Sequence, residues 1–460
     1  MGIAVSNWRL ARAVSKAGQL GVVSGTALAS VLVRRLQDGD DDGSVRRVLA
    51  HCPLRAAADR IVARYWIGGG RPAGQPYRLT PLTSLDSPRE LTELTIVANF
   101  AEVFLAKEGH GGVVGINLLE KIQLPTLASL FGAMLAGVDF VLMGAGIPRA
   151  IPGVLDGLAA GQPVSLRLVV DGAGPGQEHT LSLDPADFLP RRVTLARPRF
   201  LAIVSSSTLA LTLARKSSGR VDGFVVEGIT AGGHNAPPRG TAQFNDRGEP
   251  VYGPRDHADL AAIRTLGLPF WLAGSHAHPE KLRAALALGA TGVQIGTAFA
   301  LCEESGLTPG LKRSALAHSV AGTVDLLTDS RASPTGMPFK VVRLEDTVAD
   351  PAIYQRRARS CDLGYLRQPY QRPDGTVGYR CPAEPEADFI RKGGDPADTV
   401  GRKCLCNGLL ATIGLGQALT AGESEPALVT AGEDIVEARR FLAPGRNSYS
   451  ATDVLRFMGV

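Results

Sequence analysis

Short apolar runs alternate with amphipathic stretches from the N-terminus to about residue 300. The apolar runs carry Val, Ile, Leu and Phe at successive positions, which is typical of parallel strands covered on both faces. They predict strands at Leu20–Ser24, Gly112–Asn117, Val138–Gly144, Arg199–Ser205, Asp222–Gly228, Pro269–Gly274 and Thr291–Thr297. The stretches between them place apolar residues at three- and four-residue spacing, which predicts helices. These helices are Trp8–Lys16, Leu127–Ala136, Thr208–Arg215, Asp256–Leu266 and Pro279–Leu288.

Strands that alternate with helices indicate a parallel α/β sheet, and the number of repeats favours a (β/α)8 TIM barrel. Seven such strands are present, and the eighth is expected before Leu20, where only Gly2–Val5 is apolar. We therefore expect the native protein to begin upstream of Met1, with part of its first strand missing from this sequence.

Two segments fall outside the barrel pattern. Val164–Val170 and His179–Leu183 flank a glycine-rich turn, which predicts an inserted β-hairpin within residues 160–195. After residue 304 the alternation ceases, so residues 1–304 are assigned to the barrel and 305–460 to an appended region packed on it. That region is expected to be mainly helical, with closing helices at Leu409–Leu419 and Glu433–Phe441.

Composition narrows the function classes. Apolar residues make up 45% and charged residues 20% of the chain, as in a globular enzyme. The net charge of +5 is spread along the chain, so no nucleic-acid surface is expected. The apolar run at 122–148 is interrupted by Pro125 and Asp139, so no membrane span is expected either. Six cysteines do not form a disulfide framework, which favours a cytoplasmic location.

A candidate catalytic residue follows the strand at Asp222–Gly228. The chain continues Ile229-Thr230-Ala231-Gly232-Gly233-His234, so a histidine stands at the tip of a glycine-rich loop. In α/β barrels the reactive groups lie on loops at the carboxyl ends of the strands, and imidazole moves protons near neutral pH. We interpret His234 as the principal acid or base. The alternative is a structural histidine in a flexible loop.

The last two strands end in turns suited to an anion. One turn contains Gly274 and Ser275, the other Gly296 and Thr297, and each precedes a helical segment. Barrels commonly hold a phosphate at the turns after their seventh and eighth strands. Backbone N–H groups and the Thr297 hydroxyl can therefore converge on one anionic group.

Several stretches together resemble the nitronate monooxygenase (2-nitropropane dioxygenase) family of FMN-binding barrels. The resemblance extends to longer members, which include the enoyl reductases of polyketide and polyunsaturated fatty acid synthases. The matching stretches are Ala11–Ser15 through Gly21, Gly115–Asn117, Gly144–Pro148, Glu227–His234 and Ala285–Phe299.

The resemblance implies FMN as the cofactor, with its phosphate held by Gly274, Ser275, Gly296 and Thr297. It places Asn117, Gly144 and Gly233 near the flavin and makes His234 the base. Asn235 and Arg239, on the loop after the histidine, are candidates for substrate contacts. Ser275 departs from the family's second glycine, which leaves less room at that turn.

Three functions stay open at this point. The favoured one is oxidation of alkyl nitronates by O2 through the flavin. The second is reduction of an enoyl thioester by NAD(P)H, with an acyl carrier protein as a possible partner. The third is a non-catalytic barrel subunit. A small-molecule substrate and a homo-oligomeric state are also expected.

Four cysteines in the appended region form a weaker candidate site. Cys361, Cys381, Cys404 and Cys406 match no standard zinc spacing, although the Cys404–Cys406 pair occurs in metal knuckles. Buried thiols without a metal are the favoured interpretation, so no metal is expected.

Overall fold

A computed structural model describes residues 2–419 and 423–460. Its strands are β1 (Gly21–Ser24), β2 (Val114–Leu119), β3 (Phe140–Gly144), β4 (Val164–Leu168), β5 (His179–Leu183), β6 (Arg199–Val204), β7 (Gly223–Glu227), β8 (Phe270–Ala273), β9 (Gly292–Gln294), β10 (Leu326–Asp329), β11 (Phe339–Val342), β12 (Gln368–Gln371) and β13 (Val377–Arg380). Seven of them form one curled parallel sheet in the order β1-β2-β3-β6-β7-β8-β9. The seven strands predicted from the apolar runs are the strands of this sheet, so the α/β barrel class is confirmed.

The helices between the strands of this sheet cover its outer face, and the later ones lie in the appended region. They are α1 (Trp8–Lys16), α2 (Leu28–Gln37), α3 (Ser44–Leu49), α4 (Arg55–Tyr65), α5 (Arg89–Lys107), α6 (Thr126–Leu135), α7 (Ile151–Ala159), α8 (Ser207–Lys216), α9 (Leu260–Arg264), α10 (Pro279–Ala287), α11 (Thr297–Ala300), α12 (Pro309–Ala321), α13 (Pro351–Arg356), α14 (Glu386–Arg391), α15 (Leu405–Thr412) and α16 (Ala451–Met458). Helix α5 is the longest, and Ile96, Val97, Phe100 and Val103 on it belong to the main apolar core.

The start of helix α1 is determined by hydrogen bonds to two side chains. Asn7 adopts an extended conformation, and its side chain accepts a hydrogen bond from the Leu10 N–H at 3.0 Å. The Trp8 N–H donates to the Glu102 carboxylate on α5 at 2.8 Å. Both bonds satisfy donors that a helix start leaves unpaired. Helix α1 therefore begins and ends where the sequence predicts.

Successive side chains point to opposite faces of each strand, and those on the concave face of the curled sheet are mostly apolar. Leu142, Leu201, Val225 and Ala273 form a small buried cluster there, separate from the outer core. The register places them side by side on neighbouring strands, Leu142 beside Leu201 and Glu227 beside Ala273. The carboxyl ends of the strands consequently share one rim, which is where the candidate loops lie.

The sheet is open between β1 and β9. Within the described residues no strand joins these two edges, and an eighth strand would lie in the gap between them.

The predicted hairpin insertion is confirmed. Strands β4 and β5 pair antiparallel, with Val164 opposite Leu183 and Leu168 opposite His179. Asp171, in the turn after β4, accepts from the Gln371 N–H on β12 at 2.8 Å. The hairpin therefore packs against the appended region.

Helices predominate over strands in the appended region, as predicted. It contains two antiparallel hairpins, β10–β11 and β12–β13, and Glu433–Phe441 forms a 3-10 helix. Helix α15 ends at Thr412 instead of continuing to Leu419, because Gly414 takes a left-handed conformation with φ of +78°.

The apolar core crosses the predicted domain boundary. Val5 and Leu10 from the start of the chain pack in one cluster with Val429, Ile435 and Val454 from its end. The division at residue 304 stays a prediction, since this shared core joins its two sides.

Across the described part of the chain, no helix has the length and apolarity needed to cross a bilayer.

Candidate functional site

One large cavity, of about 490 Å³, opens at the carboxyl rim of the sheet. It is lined by the loops after β7, β8 and β9, and it also extends into the gap between β1 and β9, beside α1, α10 and α16. Gly233, Gly274, Ser275, Gly296 and Thr297 all contact it. Five of the residues predicted to hold a cofactor are thus brought to one place.

The two late turns present unpaired backbone donors to this cavity. Gly274 and Ser275 both adopt left-handed conformations, with φ of +104° and +53°. The N–H groups of Ser275, His276 and Gly296 donate to no acceptor within the described residues. Ser275 and Gly296 line the cavity and His276 directly follows Ser275, so these N–H groups are free to bind an anion there. The two turns, at residues 274–276 and 296–297, therefore form a cradle that an anionic oxygen cluster fits.

A loop of the appended region, residues 430–434, closes over the cradle. The Gly432 N–H donates to the Thr297 hydroxyl at 2.8 Å, and the Glu433 N–H donates to the Thr230 carbonyl at 3.0 Å. The Gly233 N–H donates to the Thr430 hydroxyl at 3.0 Å. Sequence reasoning missed these contacts, because they join positions more than a hundred residues apart and carry no local signal.

His234 is anchored by the appended region. Its Nε2 lies 2.7 Å from the Ser333 hydroxyl, and its ring meets the Phe339 ring edge-on at a centroid distance of 4.9 Å. Burial lowers the pKa of His234 to about 4, with Lys121 adding to the effect. The imidazole is therefore neutral at physiological pH. The adjacent Gly233 contacts the large cavity, whereas the His234 side chain is not part of its lining.

Glu227 is a functional candidate that sequence reasoning did not single out. It ends β7, lines the large cavity, and has no hydrogen-bond partner for its carboxyl group within the described residues. Burial raises the pKa of Glu227 to about 7. The available signal was its position two residues after Val225, which puts a carboxyl group on the inner face of an apolar strand.

Asn117 and Gly144 do not line the large cavity. Both lie on the inner face of the sheet, on β2 and β3, which β6 and β7 separate from β8 and β9. A Cβ atom at Gly144 would come within 2.8 Å of Ile203 Cβ, so the glycine is required for packing between β3 and β6. Contacts of these two residues with a flavin stay predictions.

Asn235 and Arg239 lie at a smaller cavity beneath the loop. The Asn235 amide donates to the Ala231 carbonyl at 3.2 Å, and its Oδ1 is buried without a partner. Arg239 donates to the carbonyls of Arg255 and Ser205. Since these donors are engaged within the protein, the structure gives both residues a role in holding the loop, and their substrate contacts stay predictions.

The four cysteines of the appended region come together. Cys361, Cys381, Cys404 and Cys406 line one small cavity, and all four are free thiols. Burial raises the pKa of Cys361 to about 12, and the neighbouring Cys404 adds to this effect. Within residues 2–419 and 423–460, no three His, Cys, Asp or Glu side chains are arranged to hold a single metal ion.

Comparison with known proteins identifies a family domain. Residues 190–342 match the nitronate monooxygenase family model, which confirms the predicted resemblance. A nitronate monooxygenase of Pseudomonas aeruginosa is 38% identical over 124 residues, which cover 26% of this chain and 32% of that protein.

Two further similarities extend the comparison. A (3aS,4S,5R,7aS)-5-hydroxy-7a-methyl-1-oxo-octahydro-1H-indene-4-carboxyl-CoA dehydrogenase of Mycobacterium tuberculosis is 29% identical over 231 residues, covering 46% of this chain and 60% of that protein. The chain thus spans between a third and three fifths of these relatives. The solved structure of a nitroalkane oxidase from Streptomyces ansochromogenes aligns with all of this chain and 92% of its own, at 15% identity and a TM-score of 0.47.

Proposed function

We propose that this chain, whose residues 190–342 match the nitronate monooxygenase family model, is an FMN-dependent oxidoreductase that oxidises alkyl nitronates with O2. The observation that carries the proposal is the cradle of unpaired N–H groups at Ser275 and Gly296, which shares one cavity with Glu227. The cradle would hold the FMN phosphate, and Gly233 would contact the flavin. When bound, FMN would supply the electron transfer that amino-acid side chains cannot perform.

The chain's own residues would carry out the proton transfers. His234 is neutral, and Ser333 binds its Nε2, so Nδ1 is the atom that would accept a proton from the carbon next to a nitro group. Glu227, with a pKa of about 7, would remain partly protonated and could donate a hydrogen bond to substrate oxygens. A neutral base and a protonated carboxyl group are the pair that acid–base catalysis needs, and Gly233, next to His234, lines the same cavity as Glu227.

The second candidate is an FMN-dependent enoyl-thioester reductase that uses NAD(P)H. One observation favours it: the Mycobacterium tuberculosis relative is named for a carboxyl-CoA substrate, which is a thioester. An acyl carrier protein would then be the partner that delivers the substrate.

The visible spectrum of the purified protein under anaerobic conditions tests the proposal. We expect a yellow protein whose flavin absorption is bleached by an alkyl nitronate alone and returns on admission of O2 with release of nitrite. Rapid bleaching by NADPH, with none by the nitronate, would establish the reductase instead. A protein that stays colourless after reconstitution with FMN would rule out both and favour a non-catalytic subunit.

A further inference from the structure

Four cysteines from three separate segments converge in the appended region. Cys361 follows α13, Cys381 follows β13, Cys404 caps α15 and Cys406 lies in its first turn. All four line a single cavity together with Leu363, Leu366 and Glu384. The remaining two cysteines of the chain, Cys52 and Cys302, lie in two other apolar clusters.

Burial raises the pKa of the four thiols, and main-chain groups near three of them act in the opposite direction. Backbone N–H groups lie near three of the sulfurs and would favour their thiolates: Ala383 near Cys381, Asn407 near Cys404 and Leu366 near Cys406. Two of the cysteines stand at the first turn of α15, where the helix dipole favours anions. Hydrogen bonds of this kind are a standard part of the environment of iron–sulfur clusters.

Only short elements of regular secondary structure surround the cysteines in the described part of the chain. Between β11 and α15 the chain forms only short helices and one two-stranded hairpin. Small, loop-rich units commonly depend on a metal or on cross-links to hold their segments together. No disulfide joins these four cysteines, so a shared metal centre would provide that constraint.

A single metal ion and a multi-iron cluster differ in the sulfur spacing that they require. A tetrahedral zinc ion holds its four sulfurs only about 3.8 Å apart, given a zinc–sulfur bond of about 2.3 Å. No three of the described side chains are arranged to hold one metal ion, although all four thiols face the same cavity. A cluster with four irons keeps its thiolates farther apart, since each thiolate binds a different iron. A [4Fe–4S] cluster therefore satisfies both observations.

We propose that Cys361, Cys381, Cys404 and Cys406 bind a [4Fe–4S] cluster. Assembly would replace four S–H bonds by four Fe–S bonds and release four protons, with iron and sulfide supplied from outside the chain.

The position of this centre connects it to the large cavity. Helix α15 carries Cys406 in its first turn, and Leu409 and Thr412 on the same helix line the large cavity. At 1.5 Å per residue, Leu409 lies only about 4.5 Å farther along the helix axis than Cys406. Pro334 lines the cysteine cavity, and its neighbour Ser333 binds His234. A cluster here would fix both the wall of the large cavity and the partner of the histidine.

The test uses the full chain, produced with ample iron and purified without oxygen. We expect about four iron and four acid-labile sulfide per chain, and an electron paramagnetic resonance signal after reduction with dithionite. Bound flavin is quantified separately, by its fluorescence after acid release. A native mass spectrum shows the added mass of the cluster without any variant.

Variants then assign the ligands. Cys361→Ser, Cys381→Ser, Cys404→Ser and Cys406→Ser should each lose at least half of the iron, whereas the matched controls Cys52→Ser and Cys302→Ser should retain it. Wild-type protein that stays free of iron after anaerobic reconstitution with ferrous iron and sulfide would overturn the proposal. One zinc per chain without iron would overturn it as well, as would full iron retention in the four variants.

Discussion

Burial shifts the pKa values of Glu227, at the end of β7, and His234, on the loop after β7, in opposite directions. Glu227 has its pKa raised to about 7 and His234 has its pKa lowered to about 4, each from loss of water around the charged form. Between pH 4.5 and 6.5 the folded protein keeps the Glu227 proton that the unfolded chain has lost, so this group makes stability fall as pH rises. Over the same range the unfolded chain protonates His234 and the folded protein does not, so stability rises with pH.

The opposing contributions of Glu227 and His234 predict how the free energy of unfolding of each single variant depends on pH. In the wild-type apoprotein they nearly cancel between about pH 4.5 and 6.5. Glu227→Gln should therefore reveal a stability that increases with pH, and His234→Asn one that decreases, each by up to about 1.4 kcal/mol per pH unit. Urea unfolding of the three proteins at several pH values measures the slopes. Parallel curves for all three would contradict the assigned pKa shifts.

The role of His234 can be separated from binding by the choice of substrate. A neutral nitroalkane must lose its α-proton, whereas a preformed nitronate has already lost it. We expect His234→Asn to slow turnover of the nitroalkane by about 10²–10⁴-fold, the usual contribution of a general base, and to leave nitronate turnover within about tenfold. Equal losses with both substrates would assign His234 to positioning rather than to proton transfer. Ser333→Ala, which removes its anchor, should show the same selectivity to a smaller extent.

At the scale of elements, the loop at 430–434 should control cofactor affinity. A Cβ atom at Gly432 would lie 2.7 Å from the Thr230 carbonyl oxygen and 2.9 Å from the Gly232 nitrogen, both of them backbone atoms. Gly432→Ala must therefore push the loop away from the cradle. We expect FMN affinity to fall by about tenfold or more, about 1.4 kcal/mol, in a fluorescence titration.

Gly253 provides the matched control for this substitution. It is also a loop glycine, its φ is −128°, and a Cβ atom there meets no other atom within 4 Å. Gly253→Ala should leave FMN affinity unchanged. If both variants bind FMN like the wild type, the 430–434 loop does not shape the cradle.

The same elements show what a sequence can and cannot predict. The positions of the strands of the sheet and of helix α1 can be predicted from the local sequence, because the apolar runs and capping residues that determine them are consecutive in the chain. The end of α15 and the 430–434 loop depend on partners far along the chain, such as Thr297 and Thr230, so no local pattern reports them. Glu227 could not be predicted for a different reason. A single carboxyl group at a strand end indicates a functional role only once its burial is known.

At the scale of the whole molecule, the two ends of the curled sheet have different tasks. At the end opposite the cradle, Arg197 bonds Asp222 at 2.7 Å and also contacts Asp156 and the Arg220 carbonyl. Asp222 in turn accepts from the Phe200 N–H at 2.8 Å. In α/β barrels this amino-terminal face serves stability, whereas the carboxyl rim carries the chemistry.

Substitution at this face should therefore affect stability alone. Arg197→Met leaves two carboxylates without their shared partner, and we expect a loss of about 2–3 kcal/mol in the free energy of unfolding. Arg220→Ala removes a second, mostly exposed partner of Asp222 and should cost less than about 1 kcal/mol. Denaturant unfolding gives both values, and FMN titration should give the wild-type affinity for each variant. A weakened FMN affinity in Arg197→Met would show that the two ends are coupled. The expected homo-oligomeric state and cytoplasmic location stay predictions.

The unpaired N–H groups at the two late turns have a consequence for recognising homologous chains. Main-chain atoms are common to all residues, so almost any side chain could replace Ser275 or His276 without removing the donor, provided that the turn keeps its shape. Divergence at these positions is therefore poor grounds for concluding that a homologue has lost its cofactor. The informative changes would be a proline, which deletes a donor outright, or a bulky residue at a neighbouring glycine, which alters the turn.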